Sequence, residues 1–345
     1  MTKPVRIAVI GAGLIGARHM AYVANCPDAA LVAVADPDPA AATLAARNSC
    51  PHWSDPAAML VAGGIDGAIV ATPTVTHEDV GRSCIEAGIH AIIEKPICHT
   101  LAAAERLNQA AEAAGIALLT GHHRRYNPCV AQAQALIAEG HLGQMIGVNV
   151  MFAIAKPAAY FSPDWRRAPG AGPILTNLIH DIDLLRTILG EIVQVSALTS
   201  SAQRGFATED SAVISLRFAS GAIGSIFVTD TAPSPWTWEQ GTGESHPQFP
   251  RNTENAYRFF GTEGALEFPQ LKLWRQDGGP DWTKEITPKN IDVPEVDVYA
   301  AQVAHFARVI RGTEAPIISG REGQRSLAAT LAIFQAAETG RTIDL

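Results

Sequence analysis

Apolar residues in the first 120 positions fall into short unbroken runs, and Ala-rich stretches with helical spacing separate them. Unbroken apolar runs predict strands buried on both faces, and the stretches between them predict the helices that cover those faces. Strands are expected at 5–10, 31–35, 67–71, 90–93 and 116–120, and helices at 15–24, 39–47, 55–61, 77–87 and 100–114. Past residue 122 the pattern changes. A helix at 128–139 and a strand at 145–153 precede a Pro- and Gly-bearing loop at 156–173 and a helix at 175–189 that ends at Gly190. Alternating or β-rich runs follow at 192–202, 211–218, 222–229, 256–260, 264–268 and 271–275, a series that predicts a mainly antiparallel sheet. Helices at 295–311 and 321–338 close the chain, and 233–252 reads as a long loop.

The two patterns predict an α/β protein of two domains, 1–121 with a parallel sheet and 122–345 of α+β type on an open, mainly antiparallel sheet. The C-terminal helix is expected to return toward the first domain. A chain of 345 residues with 47% apolar and 17% charged residues has the length and composition for two cores, and disorder is not indicated.

A net charge of -8 argues against a nucleic-acid partner, and the basic stretch His122, His123, Arg124, Arg125 is too short for a duplex-binding face. Cys26, Cys50, Cys84, Cys98 and Cys129 form no CxxC pair and no metal spacing, so reduced thiols and no metal are expected. With no signal-type segment and no apolar run of membrane-spanning length, no membrane partner is expected and the location is read as cytoplasmic.

The first strand runs into Gly11-Ala12-Gly13-Leu14-Ile15-Gly16 and then a helix. Gly11 suits a tight turn, Gly13 a close approach of backbone to pyrophosphate, and Gly16 close contact of helix with strand. The helix amino terminus at Leu14 and Ile15 offers N–H groups to phosphates. Glycines of this spacing also make plain turns. Here a strand precedes them, a helix follows, and Asp36 stands 20 residues beyond Gly16, which together mark a Rossmann dinucleotide-binding domain. Asp36 would accept from the ribose hydroxyls of NAD and repel the added phosphate of NADP, so NAD is the expected cofactor. Backbone around Thr72 and Pro73 would meet the cofactor, Thr76 would cap the next helix, and His77 would lie beside the nicotinamide ribose.

Glu94-Lys95-Pro96 closes a strand at the carboxyl edge of the parallel sheet, where ligand crevices form, and sets Glu94 and Lys95 near the expected nicotinamide position. A second constellation is Thr176-Asn177-Leu178-Ile179-His180-Asp181-Ile182-Asp183. Helical spacing puts Thr176, His180 and Asp183 on one face, with Asn177 three residues before His180. Oxidising a secondary alcohol requires a hydride to leave carbon and a proton to leave oxygen, so charge must be stabilised on that oxygen. Lys95 can supply the cation, or act as base if desolvated, and His180 can bind the same oxygen and relay its proton. The plainer role for His180 is a core histidine bonded to Asp183.

The segments AVIGAGLIGARH, ATPTVTHEDV, IIEKP, GHHRRYNP, NLIHDIDLLR and GTEGAL together resemble the glucose-fructose oxidoreductase, inositol dehydrogenase and MocA family over nearly the whole chain. The resemblance implies that Lys95 is the catalytic lysine, that His180 contacts the reacting hydroxyl, and that the open sheet supports homodimers or homotetramers. Many polyol dehydrogenases of this family have an aspartate four residues before that histidine, where this chain has Thr176. It also implies a small-molecule alcohol as partner, with Arg124 and Tyr126 in a loop near cofactor and substrate. Trp165 and Arg166 are candidates to close the pocket, and Trp236 and Trp238 either to stack on a sugar or cyclitol ring or to pack an interface. The alternatives are a dehydrogenase of trans-dihydrodiols or hydroxy acids, including quinate-like acids, or a catalytically silent NAD-binding regulator.

Overall fold

The computed structural model describes residues 3–245 and 247–345, and the chain divides into two compact units, 1–126 with 297–327 and 127–296 with 328–345. Along the first segment run β1 (Val5–Ile10), α1 (Leu14–Asn25), β2 (Ala29–Ala35), α2 (Ala40–Arg47), β3 (His52–Trp53), α3 (Pro56–Ala62), β4 (Gly67–Val70), α4 (His77–Glu86), β5 (His90–Ile93), α5 (Leu101–Ala114) and β6 (Leu118–Thr120). Among the described residues these strands form one six-stranded sheet in the order β3-β2-β1-β4-β5-β6, and every pairing in it is parallel. This is the doubly wound Rossmann order, with its reversal between β1 and β4.

Local chemistry sets the ends of these elements. Asp55 accepts from Ala57 N–H at the start of α3, and Thr100 accepts from Ala103 N–H at the start of α5. Gly115 ends α5 in the left-handed region, and Ile116 N–H donates back to Ala111 O at 2.9 Å. That bond draws residue 116 into the helix end, which is why β6 begins at Leu118, two residues later than the apolar run predicts. β3 has only two residues and leaves no periodic signal.

The second unit contains α6 (Pro128–Ala138), β7 (Met145–Ala153), α7 (Ile179–Leu189), β8 (Ile192–Ser200), β9 (Ser211–Phe218), β10 (Ile223–Thr229), α8 (Trp238–Thr242), β11 (Tyr257–Gly261), β12 (Gly264–Phe268), β13 (Lys272–Arg275) and β14 (Thr287–Asn290). Among the described residues its sheet has nine strands, antiparallel except where β10 runs parallel to β7. Strict alternation of burial along β9 and most of β10 shows one covered and one open face. The covered face builds a core from Val150, Ile214, Ile226 and Phe259 of the sheet with Leu184 and Leu185 of α7. The region 233–252 is not wholly irregular: Thr237 accepts from Gln240 N–H and starts α8. All four residues of β14 are exposed, so no apolar pattern announces that edge strand.

The remaining elements are α9 (Val298–Ile310), α10 (Gly320–Thr339) and β15 (Ile343–Asp344), which pairs with β8. Helix α9 belongs to the first unit, where Val303, Phe306 and Ala307 join the core under β1 and β4. Gly67 makes that packing possible, since a Cβ there would stand 2.5 Å from the Ile310 side chain.

The tightest approach in the first unit is at Gly16, whose added Cβ would come within 1.8 Å of Gly11 O. A Gly16→Val variant must therefore push α1 away from β1. Its unfolding midpoint is expected to drop by about 5 °C or more, corresponding to an overpacking cost of roughly 1–3 kcal/mol. NAD binding should weaken in parallel. A midpoint and an NAD affinity equal to those of the parent would contradict the packing described.

Candidate active site

The turn after β1 is built for close approach. Gly11 has φ +92°, and a Cβ on it would meet Ala71 O at 2.6 Å. Gly13, in contrast, has open space where its Cβ would be, and it precedes α1 without any side-chain cap. The helix thus starts with unfilled N–H donors above a glycine that leaves room for an anion, and Leu14 and Ile15 open that first turn. Asp36 follows the last residue of β2. Its Oδ2 accepts from Ala12 N–H at 2.6 Å and its Oδ1 from Asp38 N–H at 2.8 Å. The carboxylate is therefore fixed against the glycine turn and keeps lone pairs for further donors. These features fit the pyrophosphate and ribose of a dinucleotide.

After β4 the Thr76 hydroxyl lies 2.8 Å from both Pro73 O, to which it can donate, and Thr72 Oγ1, from which it can accept, and makes no cap to α4, contrary to the expected capping role. That hydroxyl stiffens the turn between strand and helix instead. His77 is also placed differently from expectation. It is 1% exposed, and its two ring nitrogens face Pro96 O and Thr72 O, each at 2.9 Å. Neutral, the ring donates to one of these two carbonyls and lies between the ends of β4 and β5, with no free nitrogen presented to a ribose.

Glu94, at the end of β5, lies with Oε1 2.7 Å from His19 Nε2 of α1, while Oε2 accepts from Lys95 N–H at 3.2 Å. Gly121 has no Cβ to displace this carboxylate, since one would stand 2.9 Å from it. Burial acts to raise the Glu94 carboxyl. The His19 hydrogen bond and charge, with Lys95, outweigh that and hold it at about 2. Lys95 is partly buried at the same strand end. His19 escapes motif reading; the signal available is its place with Gly16, Met20 and Val23 on the buried face of α1.

The turn after β6 carries His123, Arg124, Arg125 and Tyr126. Arg124 is 1% exposed, Arg125 bridges to Glu322 at 3.0 Å, His123 stacks on Tyr299 of α9 at 4.5 Å, and the Tyr126 ring tilts against His305. Burial pushes the Tyr126 phenol up. Arg124 and Tyr126 are thus packed into the first unit rather than standing free on a surface loop.

In the second unit, 174–178 form a π turn before α7. The wider turn changes the angle between successive residues, so the face derived from 3.6-residue spacing does not hold for Thr176 and Asn177. Thr176 Oγ1 instead donates to Gly172 O at 2.8 Å and lies 3.0 Å from Asn177 Oδ1. His180 and Asp183 are buried in α7, as is Asp181, which accepts from the Tyr257 hydroxyl. Trp238 is a correction to the expected ring-stacking role. Its indole is fully buried, packs on Phe268 and Tyr257, and donates to Glu244 at 2.6 Å, leaving no face for a ligand. Trp165 and Trp236 do reach solvent, and Arg166 lies over the Tyr160 ring at 4.0 Å. Lys156 goes unnoticed in the sequence, yet its ammonium donates to Asn177 Oδ1 at 2.8 Å and pairs with Asp230 at 3.3 Å. Burial pulls that ammonium below the usual lysine range, with Asp230 resisting.

Residues 5–122 match the oxidoreductase family with an NAD-binding Rossmann fold named for GFO, IDH and MocA, and residues 130–267 match the C-terminal domain of the same family. The chain belongs to this family, whose first domain binds NAD. It is 28% identical to the scyllo-inositol 2-dehydrogenase (NAD(+)) of Bacillus subtilis, covering 100% of this chain and 97% of that protein. It is 25% identical to the myo-inositol 2-dehydrogenase of Thermotoga maritima, covering 99% and 98%. The WlbA dehydrogenase of Bordetella pertussis, solved with NADH and UDP-GlcNAcA, superposes with a TM-score of 0.80 at 26% identity over 99% of both chains. An oxidoreductase of Agrobacterium radiobacter, solved with NAD+, L-tartaric acid and magnesium, shares the fold with a TM-score of 0.83 at 22% identity, covering 99% of this chain and 98% of that one.

Burial, the largest influence on both rings, holds His77 below the ordinary histidine value and His123 well below it. Both are folded as neutral rings, so the stability they confer is complete above an unfolded value of about 6.5 and is lost as pH falls from there toward the folded values. The unfolding midpoint is expected to fall between about pH 7.5 and about pH 5.5, with a shallower fall in His77→Asn. Equal midpoints at the two pH values would contradict neutral buried rings.

Proposed function

We propose that this oxidoreductase is an NAD-dependent dehydrogenase that oxidises a secondary alcohol of a sugar, glycoside or cyclic polyol, with Lys95 and His180 managing the hydroxyl proton. The observation that carries the reading is Lys95 at the carboxyl end of β5, in a segment fixed by the Glu94–His19 pair at 2.7 Å and by His77 on Pro96 O at 2.9 Å. Ligands of open parallel sheets bind at that edge, so a cation held there is suited to an oxygen that gains negative charge.

NAD supplies the hydride acceptor when bound. Gly11, Gly13, Gly16 and the first turn of α1 hold its phosphates, Asp36 its ribose hydroxyls, and backbone near Thr72 and Pro73 its further length. Asp36 also favours NAD over NADP by repelling a 2′-phosphate. Lys95 stabilises the alkoxide oxygen as its proton departs, and His180, whose ring type titrates nearest neutrality, receives that proton. Thr176 in place of a carboxylate means that no acid at that position assists His180. The inositol dehydrogenases among the relatives support a cyclic polyol or a related sugar as substrate.

The open face of the second sheet supports self-association. Leu198, Val213 and Phe227 stand side by side across β8, β9 and β10 and are 74%, 50% and 40% exposed, a row that a homodimer or homotetramer would cover.

The test is NAD reduction across inositols, aldoses, glycosides, quinate-like acids and dihydrodiols. Turnover of a cyclitol or sugar is expected; NAD binding without turnover of any alcohol would favour a silent regulator. With the best alcohol, Lys95→Ala should lower kcat by about 100-fold or more while NAD affinity changes less than about threefold, as for loss of a group acting on the reacting oxygen. His180→Ala should also slow the chemical step. Asp36→Ala should narrow the preference for NAD over NADP; an unchanged preference would remove Asp36 from that role.

A further inference from the structure

Lys156 enters the loop that follows β7 and is fastened at every point. Its N–H donates to Asp230 O at 2.9 Å, and its carbonyl accepts from Arg204 Nη2 at 3.2 Å. Its side chain is only 10% exposed, with the ammonium 2.8 Å from Asn177 Oδ1, 3.3 Å from Asp230 Oδ2 and 4.9 Å from the centre of the Tyr160 ring. Asp230 is itself held by Arg204 Nε at 2.9 Å. The loop, the carboxylate and the ammonium therefore form one anchored group inside the second unit.

An ammonium has donors and no acceptor, so the Asn177 atom that faces Lys156 must be its oxygen. The Thr176 hydroxyl, which gives its proton to Gly172 O at 2.8 Å, lies 3.0 Å from the same oxygen. The ammonium on Oδ1 leaves the amide one orientation, with its NH2 directed away from Lys156. That NH2 makes no hydrogen bond among the described residues, and Asn177 is partly exposed.

We propose that Lys156 is a positioning residue that makes Asn177 a fixed hydrogen-bond donor to a substrate oxygen, three residues before His180. The inference rests on the reading of the α7 segment as the surface that meets the alcohol. It also states a selectivity. A carboxylate at this turn would accept a hydrogen bond from a substrate hydroxyl, whereas the free end of Asn177 held in this way only donates. The position therefore takes a hydroxyl, ring, carbonyl or carboxylate oxygen, and it rejects an ammonium, as on an amino sugar, which has no lone pair to offer.

The experiment uses the full-length enzyme with NAD and the alcohol it oxidises best, and it measures KM and kcat for Lys156→Met, Asn177→Ala and the double variant. Lys156→Met is expected to raise KM about tenfold with kcat reduced less than about threefold, the loss of a preset hydrogen bond in binding. In the Asn177→Ala background the same change should move KM by less than about twofold, because Lys156 acts through Asn177. An unchanged KM in Lys156→Met, or effects of the two substitutions that multiply, would overturn the proposal. Should Lys156→Met fail to fold, Asn177→Asp keeps a partner for the ammonium while removing the donor; a KM raised about tenfold supports the inference and an unchanged one defeats it. A wild-type protein that binds NAD but oxidises no alcohol would overturn the dehydrogenase reading and this inference with it. Turnover with an indifferent Lys156 defeats the inference alone.

Discussion

A buried negative charge organises the end of β5. Glu94 carries its carboxylate into the first unit, where an unpaired charge would be costly, and His19 of α1 meets it at 2.7 Å. That pairing links the helix that starts at the glycine turn to the strand end that carries Lys95. The absence of a side chain at Gly121 leaves the carboxylate its space, and His77 secures the following Pro96 carbonyl to the neighbouring strand end. The backbone on either side of the candidate lysine is thus set by contacts that precede any ligand, which is the preorganisation an electrostatic catalyst needs.

The second unit applies the same principle with other groups. Asp230 gathers Lys156 and Arg204, and Lys156 in turn fixes the amide of Asn177. Several polar side chains around the π turn are therefore spent on one another. Thr176 donates to Gly172 O and lies beside Asn177 Oδ1. These contacts hold the turn together before any ligand enters.

Much of this architecture was legible in the chain because it rests on local pattern. Unbroken apolar runs announced β1, β4 and β5, and alternation announced β9, since burial on two faces or one leaves those signatures directly. The glycine turn and Asp36 were legible because each answers a backbone or charge requirement at fixed spacing. What escaped depends on partners far along the chain or on departures from regular geometry. Trp238 was read as a candidate to stack on a sugar or cyclitol ring, but its indole is enclosed by Tyr257 and Phe268. The π turn broke the helical arithmetic applied to Thr176, and Lys156 acquired meaning only once folding brought Asp230 and Asn177 to it. His77 and Thr76 were assigned to ribose and cap, whereas their polar atoms hold the turn itself.

In the proposed reaction the Lys95 ammonium is held where an alcohol oxygen loses its proton. A crystal structure of the protein with NAD and a slowly oxidised or dead-end alcohol tests it most directly. Lys95 Nζ is expected within about 3.2 Å of the alcohol oxygen, on the side of the nicotinamide where the substrate carbon lies. A lysine directed into bulk water, with the alcohol bound elsewhere, would contradict it.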